Sequence, residues 1–157
     1  MKNKRIFVSG GAGVIGREMV KKLVPQGAVV MVGDLSPIPD DFPKNVIYRR
    51  GDLNYITQQE LDSFNPEIFF HLAATFERST ETYEHWEENF WHNIRLSNHL
   101  MTLMRNVPDL KRVVYASSYL IYNKGSSPIL MENGVKWVAW RSSKHHPSLP
   151  YYLLCKA

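Results

Sequence analysis

The chain has 157 residues, 44% of them apolar and 22% charged, with a formal net charge of +4, which is the size and balance of one globular domain built around a single core. Its basic residues come as scattered pairs, Lys21-Lys22, Arg49-Arg50 and Lys111-Arg112, so the sequence argues against a nucleic-acid partner or a membrane surface. The lone cysteine, Cys155, excludes an internal disulfide and a cysteine-based zinc site, and suits a reducing, cytoplasmic setting.

The N-terminal run from Ile6 to Ser9 is too short for a signal-peptide core or a membrane span and reads instead as a first strand, "RIFVSG". A helix is expected to open near Val14 and to close at Pro25 to Gly27. A second strand, "AVVMVGD", ends at Asp34, and the proline-rich "SPIPDDFPKN" that follows reads as a surface loop. "VIYRRGD" is a third strand, Thr57 to Phe64 a short helix, and Glu67 to His71 a fourth strand.

The longest helical stretch runs from about Tyr83 to Arg105, with Trp86, Phe90, Ile94, Ser97, Met101 and Met104 stepping along one face and Leu96, Leu100 and Leu103 widening it. So wide an apolar sector predicts burial on more than one side, against the sheet and against a second subunit. "RVVYASS" is a fifth strand, and residues 123–150 read as an irregular loop segment. Strands alternating with helices predict an α/β fold, a Rossmann-type doubly wound parallel sheet, as one domain over residues 1–157.

In "VSGGAGVIG", Gly10, Gly13 and Gly16 stand at three-residue spacing between a strand and a helix. Such glycines allow a tight turn, the approach of backbone amides to a pyrophosphate, and close helix–strand packing. The helix start, with Val14 and Ile15, adds amide donors and a partial positive charge. Asp34 falls eighteen residues after Gly16, at the tip of the second strand and just before Leu35. A carboxylate there can accept from both hydroxyls of an adenosine ribose and repels a 2′-phosphate, which favours NAD over NADP.

These motifs resemble the extended short-chain dehydrogenase/reductase family, the NAD-dependent epimerase/dehydratase group. "GGAGVIG" has its GxxGxxG spacing, "GDL" with Asp52 and Leu53 resembles its adenine-contacting pair, and "HLAA", with Leu72, Ala73 and Ala74, resembles its cofactor-lining segment. Asn89 stands where the family carries the Asn of Asn-x-x-Gly-Thr, although His92 and Asn93 replace the Gly-Thr. "VVYASSYLIY" aligns Ser118 with the family's catalytic Ser, and "PYYLLCKA" supplies Tyr152 and Lys156 as YxxxK. The Asp-Glu pair of the dehydratase branch has no counterpart, which favours epimerase or dehydrogenase/reductase chemistry.

The residue types suit that chemistry. A lysine ammonium one helical turn from a tyrosine stabilises its phenolate, and a serine hydroxyl can hold the substrate oxygen. Tyr152 and Lys156 are also expected to contact the cofactor. The resemblance implies hydride transfer on a nucleotide sugar or similar hydroxyl substrate, with a smaller C-terminal substrate domain beyond Ala157 and little turnover without it. The alternative from another class is a non-catalytic NAD(P)-responsive binding module. No metal is expected, because His85, His92 and His99 recur about 10 Å apart along a helix, too far for one ion.

Overall fold

The computed structural model describes residues 1–75 and 87–117, with two short strands at 129–132 and 135–138. Residues 83–86 of the expected long helix, together with Ser118, Tyr152 and Lys156, lie outside the described residues. The chain divides into two compact units, Met1–Val114 and Tyr115–Ala157. Among the described residues no helix is long and apolar enough to cross a membrane.

The first unit is built on strands β1 (Arg5–Ser9), β2 (Val29–Asp34), β3 (Ile47–Arg50), β4 (Ile68–His71) and β5 (Arg112–Tyr115), whose last residue belongs to the second unit. They form one sheet in the order β3-β2-β1-β4-β5, and the β1–β2, β1–β4 and β2–β3 pairs run parallel. The chain winds outward from β1 to β3 and then crosses back to place β4 on the other side of β1. That reversal opens a crevice at the carboxyl ends of the strands, where ligands of open α/β sheets bind.

Alternation along β1 separates two apolar layers. Ile6 and Val8 face one side with Val20 and Leu23 of α1 (Val14–Leu23), while Phe7 faces the other with Leu61 of α2 (Gln58–Phe64) and Leu100 of α3 (Leu96–Met104). All three β1 residues are fully buried, as expected for a strand covered on both faces. Phe7 stacks on Phe69 of β4 with ring centroids 5.2 Å apart.

The helix ends follow their local chemistry. A short 3-10 turn at Val24–Gln26 ends α1, and Gly27 closes it at φ 83°. At α2, Thr57 accepts from the Glu60 amide at 3.2 Å while the Glu60 carboxylate accepts from the Thr57 amide at 2.8 Å, a reciprocal capping box.

The long helix departs from its expected register. Residues 87–89 are helical, Phe90–Arg95 forms a π-helix, and only from Leu96 does the α-helix resume. Each π turn adds a residue to the repeat, so the buried stripe becomes Leu96, Leu100 and Met104, whereas Phe90 and Ile94 are 42% and 52% exposed. The π segment also aims Asn93 at the chain leaving β4. Its Oδ1 accepts from the Thr75 amide at 2.8 Å and its Nδ2 donates to the Thr75 carbonyl at 3.0 Å, a two-point clamp on one residue's backbone.

A buried polar line crosses the same layer. Ser9 Oγ lies 2.6 Å from His71 Nδ1, and His71 Nε2 lies 2.9 Å from Ser97 Oγ, so β1, β4 and α3 share one hydrogen-bonded chain. Burial holds the imidazole neutral, lowering its pKa to about 4. At the opposite ends of the strands, Glu67 accepts from Lys4 Nζ at 2.8 Å and Lys111 Nζ at 2.9 Å, and these two ammonium groups hold its carboxyl well below the usual range.

In the second unit, β6 (Ile129–Glu132) and β7 (Val135–Val138) pair antiparallel, with Leu130 opposite Trp137. This hairpin lies within the stretch expected to be irregular. The two residues between the strands are Asn133 and Gly134, a pair with a strong preference for a two-residue hairpin connection.

Two outcomes follow for the first unit. An unfolded imidazole titrates near 6.5, so the contribution from neutral His71 is complete above that pH and is lost as pH falls from 6.5 toward 4, by roughly 3 kcal/mol. Urea unfolding at pH 7.5 and 4.5 should therefore show a shallower pH dependence in His71→Gln than in the unmodified chain; equal dependence would exclude His71 as the acid-sensitive group. Asn93→Ala should cost about 1–3 kcal/mol and speed amide exchange at Thr75; an unchanged midpoint and exchange rate would show that the clamp does not hold that loop.

Candidate functional site

The crevice at the strand ends is a cleft of about 320 Å³, walled by the turn after β1, the ends of β2 and β3, the chain leaving β4, and the start of the π segment. Its floor is the glycine turn. Gly10 sits at φ 73°, and a Cβ there would lie 2.5 Å from the Ala73 nitrogen. A side chain at this position would strain the backbone and fill the gap between the turn and the β4 loop. Gly16 serves the other purpose: its Cβ would lie 2.5 Å from the Gly10 carbonyl oxygen, so only glycine lets α1 start this close to β1. The turn is closed by Gly13 donating to Gly10 O at 3.2 Å and anchored by Gly10 donating to Gly33 O at 2.8 Å.

Asp34 ties the neighbouring walls together. Its Oδ2 accepts from the Ala12 amide and its Oδ1 from the Ser36 amide, both at 2.9 Å, while the Gly51 amide donates to its carbonyl at 2.8 Å. One residue thereby fixes the glycine turn, the exit from β2 and the exit from β3. Tyr48 steadies the same loop by donating its hydroxyl to Ser36 O at 2.8 Å. Burial first, and the nearby Asp34 charge second, push that phenol up to about 12, so it remains a donor.

Further out, Asp52 receives the Asn54 amide at 2.8 Å, Asn54 Nδ2 at 3.1 Å and the Trp91 indole at 2.9 Å. Burial alone would raise the Asp52 carboxyl, but these hydrogen bonds outweigh it and hold the group below its usual range. Trp91 is braced from its other face by the Arg95 guanidinium, 3.7 Å from the ring centroid.

Of the residues singled out in the sequence, Gly10, Gly13, Asp34, Leu35, Asp52, Leu53, Leu72, Ala73 and Ala74 converge on this cleft. Gly16 is buried beneath it as a packing contact. Val14 and Ile15 start α1 but are 87% and 65% exposed and do not form its wall. Asn89 is also exposed and off the wall, where its Oδ1 accepts from Asn93 Nδ2. In its place Glu88, from the helical residues just before the π segment, and His92, from within it, line the wall. None of Glu88, Trp91, His92 and Asn93 belongs to the apolar stripe of the sequence, and from Phe90 the π turn shifts side chains away from their α-helical positions.

The cleft can hold an extended dinucleotide. Its glycine floor is open where a Cβ would fill it, the first N–H groups of α1 have no partners within the helix, and a carboxylate stands at the end of β2. These are the parts that phosphate and ribose recognition require.

No match was found among curated proteins. Solved structures are similar. MoeE5 in complex with UDP-glucuronic acid and NAD is 29% identical with a TM-score of 0.64 over 82% of this chain and 41% of its own. The epimerase Mth375 from Methanothermobacter thermautotrophicus is 26% identical with a TM-score of 0.69 over 83% of this chain and 40% of its own. A variant of uronate dehydrogenase from Agrobacterium tumefaciens complexed with NAD is 28% identical with a TM-score of 0.58 over 75% of this chain and 42% of its own. The chain thus spans about two fifths of the length of each of these proteins. The match of residues 6–143 covers nearly all of the sheet and its cleft, and the chain belongs to the NAD dependent epimerase/dehydratase family.

Proposed function

We propose that this chain is the NAD-binding half of an epimerase- or dehydrogenase-like oxidoreductase acting on a nucleotide sugar or a similar hydroxyl substrate. The observation that carries the reading is the glycine turn held against Asp34 at the strand ends, with its floor open only because Gly10 lacks a side chain. Similar solved proteins carry NAD, and one also carries UDP-glucuronic acid.

Gly10, Gly13 and the start of α1 would hold the diphosphate, Asp34 and Leu35 the adenosine ribose, and Asp52 and Leu53 the base. Leu72, Ala73 and Ala74 would face the other half of the dinucleotide. NAD bound there supplies a hydride acceptor and donor. Ser118, Tyr152 and Lys156 take their roles from the family resemblance. Ser118 orients the substrate hydroxyl, Tyr152 moves its proton, and Lys156 stabilises the phenolate and anchors a ribose. A homodimer through the 83–105 helix is part of the same reading, supported by the exposure of Phe90 and Ile94 within that stretch.

Asp34 has two duties, one in shaping the turn and one toward the ligand. Asp34→Asn keeps an oxygen for the Ala12 amide, sets its NH2 against the Ser36 amide, and removes the charge that opposes a 2′-phosphate. Calorimetry should find NAD preferred by the unmodified chain and that preference largely lost in Asp34→Asn; equal affinity for NADP in the unmodified chain would reject this reading of Asp34. For the proton-transfer role, Tyr152→Phe in the protein with its substrate domain should lower turnover of a nucleotide sugar by about 100-fold or more while NAD affinity changes little. Retained turnover would remove Tyr152 from the mechanism.

A further inference from the structure

One strand beyond Asp34, the cleft wall is Asp52, which also caps the 3-10 turn Leu53–Tyr55. An ionised carboxylate offers about four acceptor sites, two on each oxygen. Oδ1 accepts twice from Asn54, through its amide at 2.8 Å and its Nδ2 at 3.1 Å, and Oδ2 accepts from Trp91 Nε1 at 2.9 Å. Among the described residues this leaves Oδ2 with a single acceptor site. The indole that occupies the other site cannot swing freely. Asn54 Nδ2 also donates to the Trp91 carbonyl at 3.2 Å, Arg95 covers the ring at 3.7 Å, and Tyr55 stands with its centroid 6.4 Å away.

We infer that Trp91 is a positioning residue for base recognition: its indole N–H orients the Asp52 carboxylate so that the remaining Oδ2 site meets an N–H donor on the ligand's base. The inference rests on the reading of the cleft as a dinucleotide site. A purine with an amino group at C6 supplies such a donor. A purine with a carbonyl there brings an oxygen against an oxygen and moves its edge donor to N1, away from the place the Oδ2 site faces, and a polar site discriminates against such a misplaced donor. Without the indole, Asp52 keeps only its Asn54 anchors on Oδ1, and Oδ2 can turn to water or to another donor.

Calorimetry with NAD and with nicotinamide hypoxanthine dinucleotide, on the unmodified chain and on Trp91→Phe, tests this. The unmodified chain should prefer NAD by about tenfold or more, and Trp91→Phe should reduce that preference to about threefold or less. A merely structural role would weaken both dinucleotides together and leave their ratio unchanged, so an unchanged ratio, or no preference in the unmodified chain, overturns the role of Trp91 while the NAD reading stands. Failure of the unmodified chain to bind either dinucleotide overturns both. Should Trp91→Phe not fold, the Trp91 indole N–H resonance of the unmodified chain decides: it should move on saturation with NAD, and a signal that stays in place overturns the inference.

Discussion

At the carboxyl end of β1, Gly10 passes so near the chain leaving β4 that a methyl group on its α-carbon would lie 2.5 Å from the Ala73 nitrogen. Everything in the cleft depends on that approach. It brings the glycine turn and the β4 loop together across the point where the sheet order reverses, and it leaves a floor of backbone with no side chain standing on it. A second close contact, Gly16 against the Gly10 carbonyl, sets the start of α1 directly behind the turn. The partial positive charge of the helix start is thereby delivered to the crevice and not to solvent.

Polar side chains then lock this backbone arrangement from three directions. Asp34 bridges the amides of Ala12 and Ser36, so the carboxylate expected to bind a ribose also shapes the turn that would bind the diphosphate. Ser9, His71 and Ser97 tie β1 and β4 to α3 through a buried line that requires a neutral imidazole. Asn93 grips the Thr75 backbone through both of its amide atoms. Each lock joins elements far apart in sequence, and a buried polar group left without its partner is costly. The cleft is consequently assembled only when the sheet and the helix layer that holds α3 are in place.

The π-helix at Phe90–Arg95 links fold to site. It breaks the register of the long helix, placing Leu96 and Leu100 in the core while turning Trp91 toward Asp52, His92 toward the cleft and Asn93 toward Thr75. A continuous α-helix would present those three neighbours about 100° apart to a different set of partners. Segments of this kind are frequent at functional sites because the irregularity re-aims side chains that the regular repeat would waste.

Local chemistry along the chain determined much of this protein. The strand runs, the opening of α1 at Val14, the short helix from Thr57, the three glycines and the acid at the end of β2 are readable because each depends on near neighbours in the chain: β-branched runs, turn chemistry and fixed spacing. Tertiary structure alone decided which side chains those elements would meet. Nothing near Asp34 in sequence indicates that it accepts from Ala12, twenty-two residues earlier, nor does anything near Asp52 point to Trp91, thirty-nine residues later. The register of the long helix belongs to the same class. Its apolar residues fit more than one face, and the choice of Leu96, Leu100 and Met104 rests on the fit against Phe7 and Phe69 of the sheet, a packing constraint that exists only once the strands have been brought side by side.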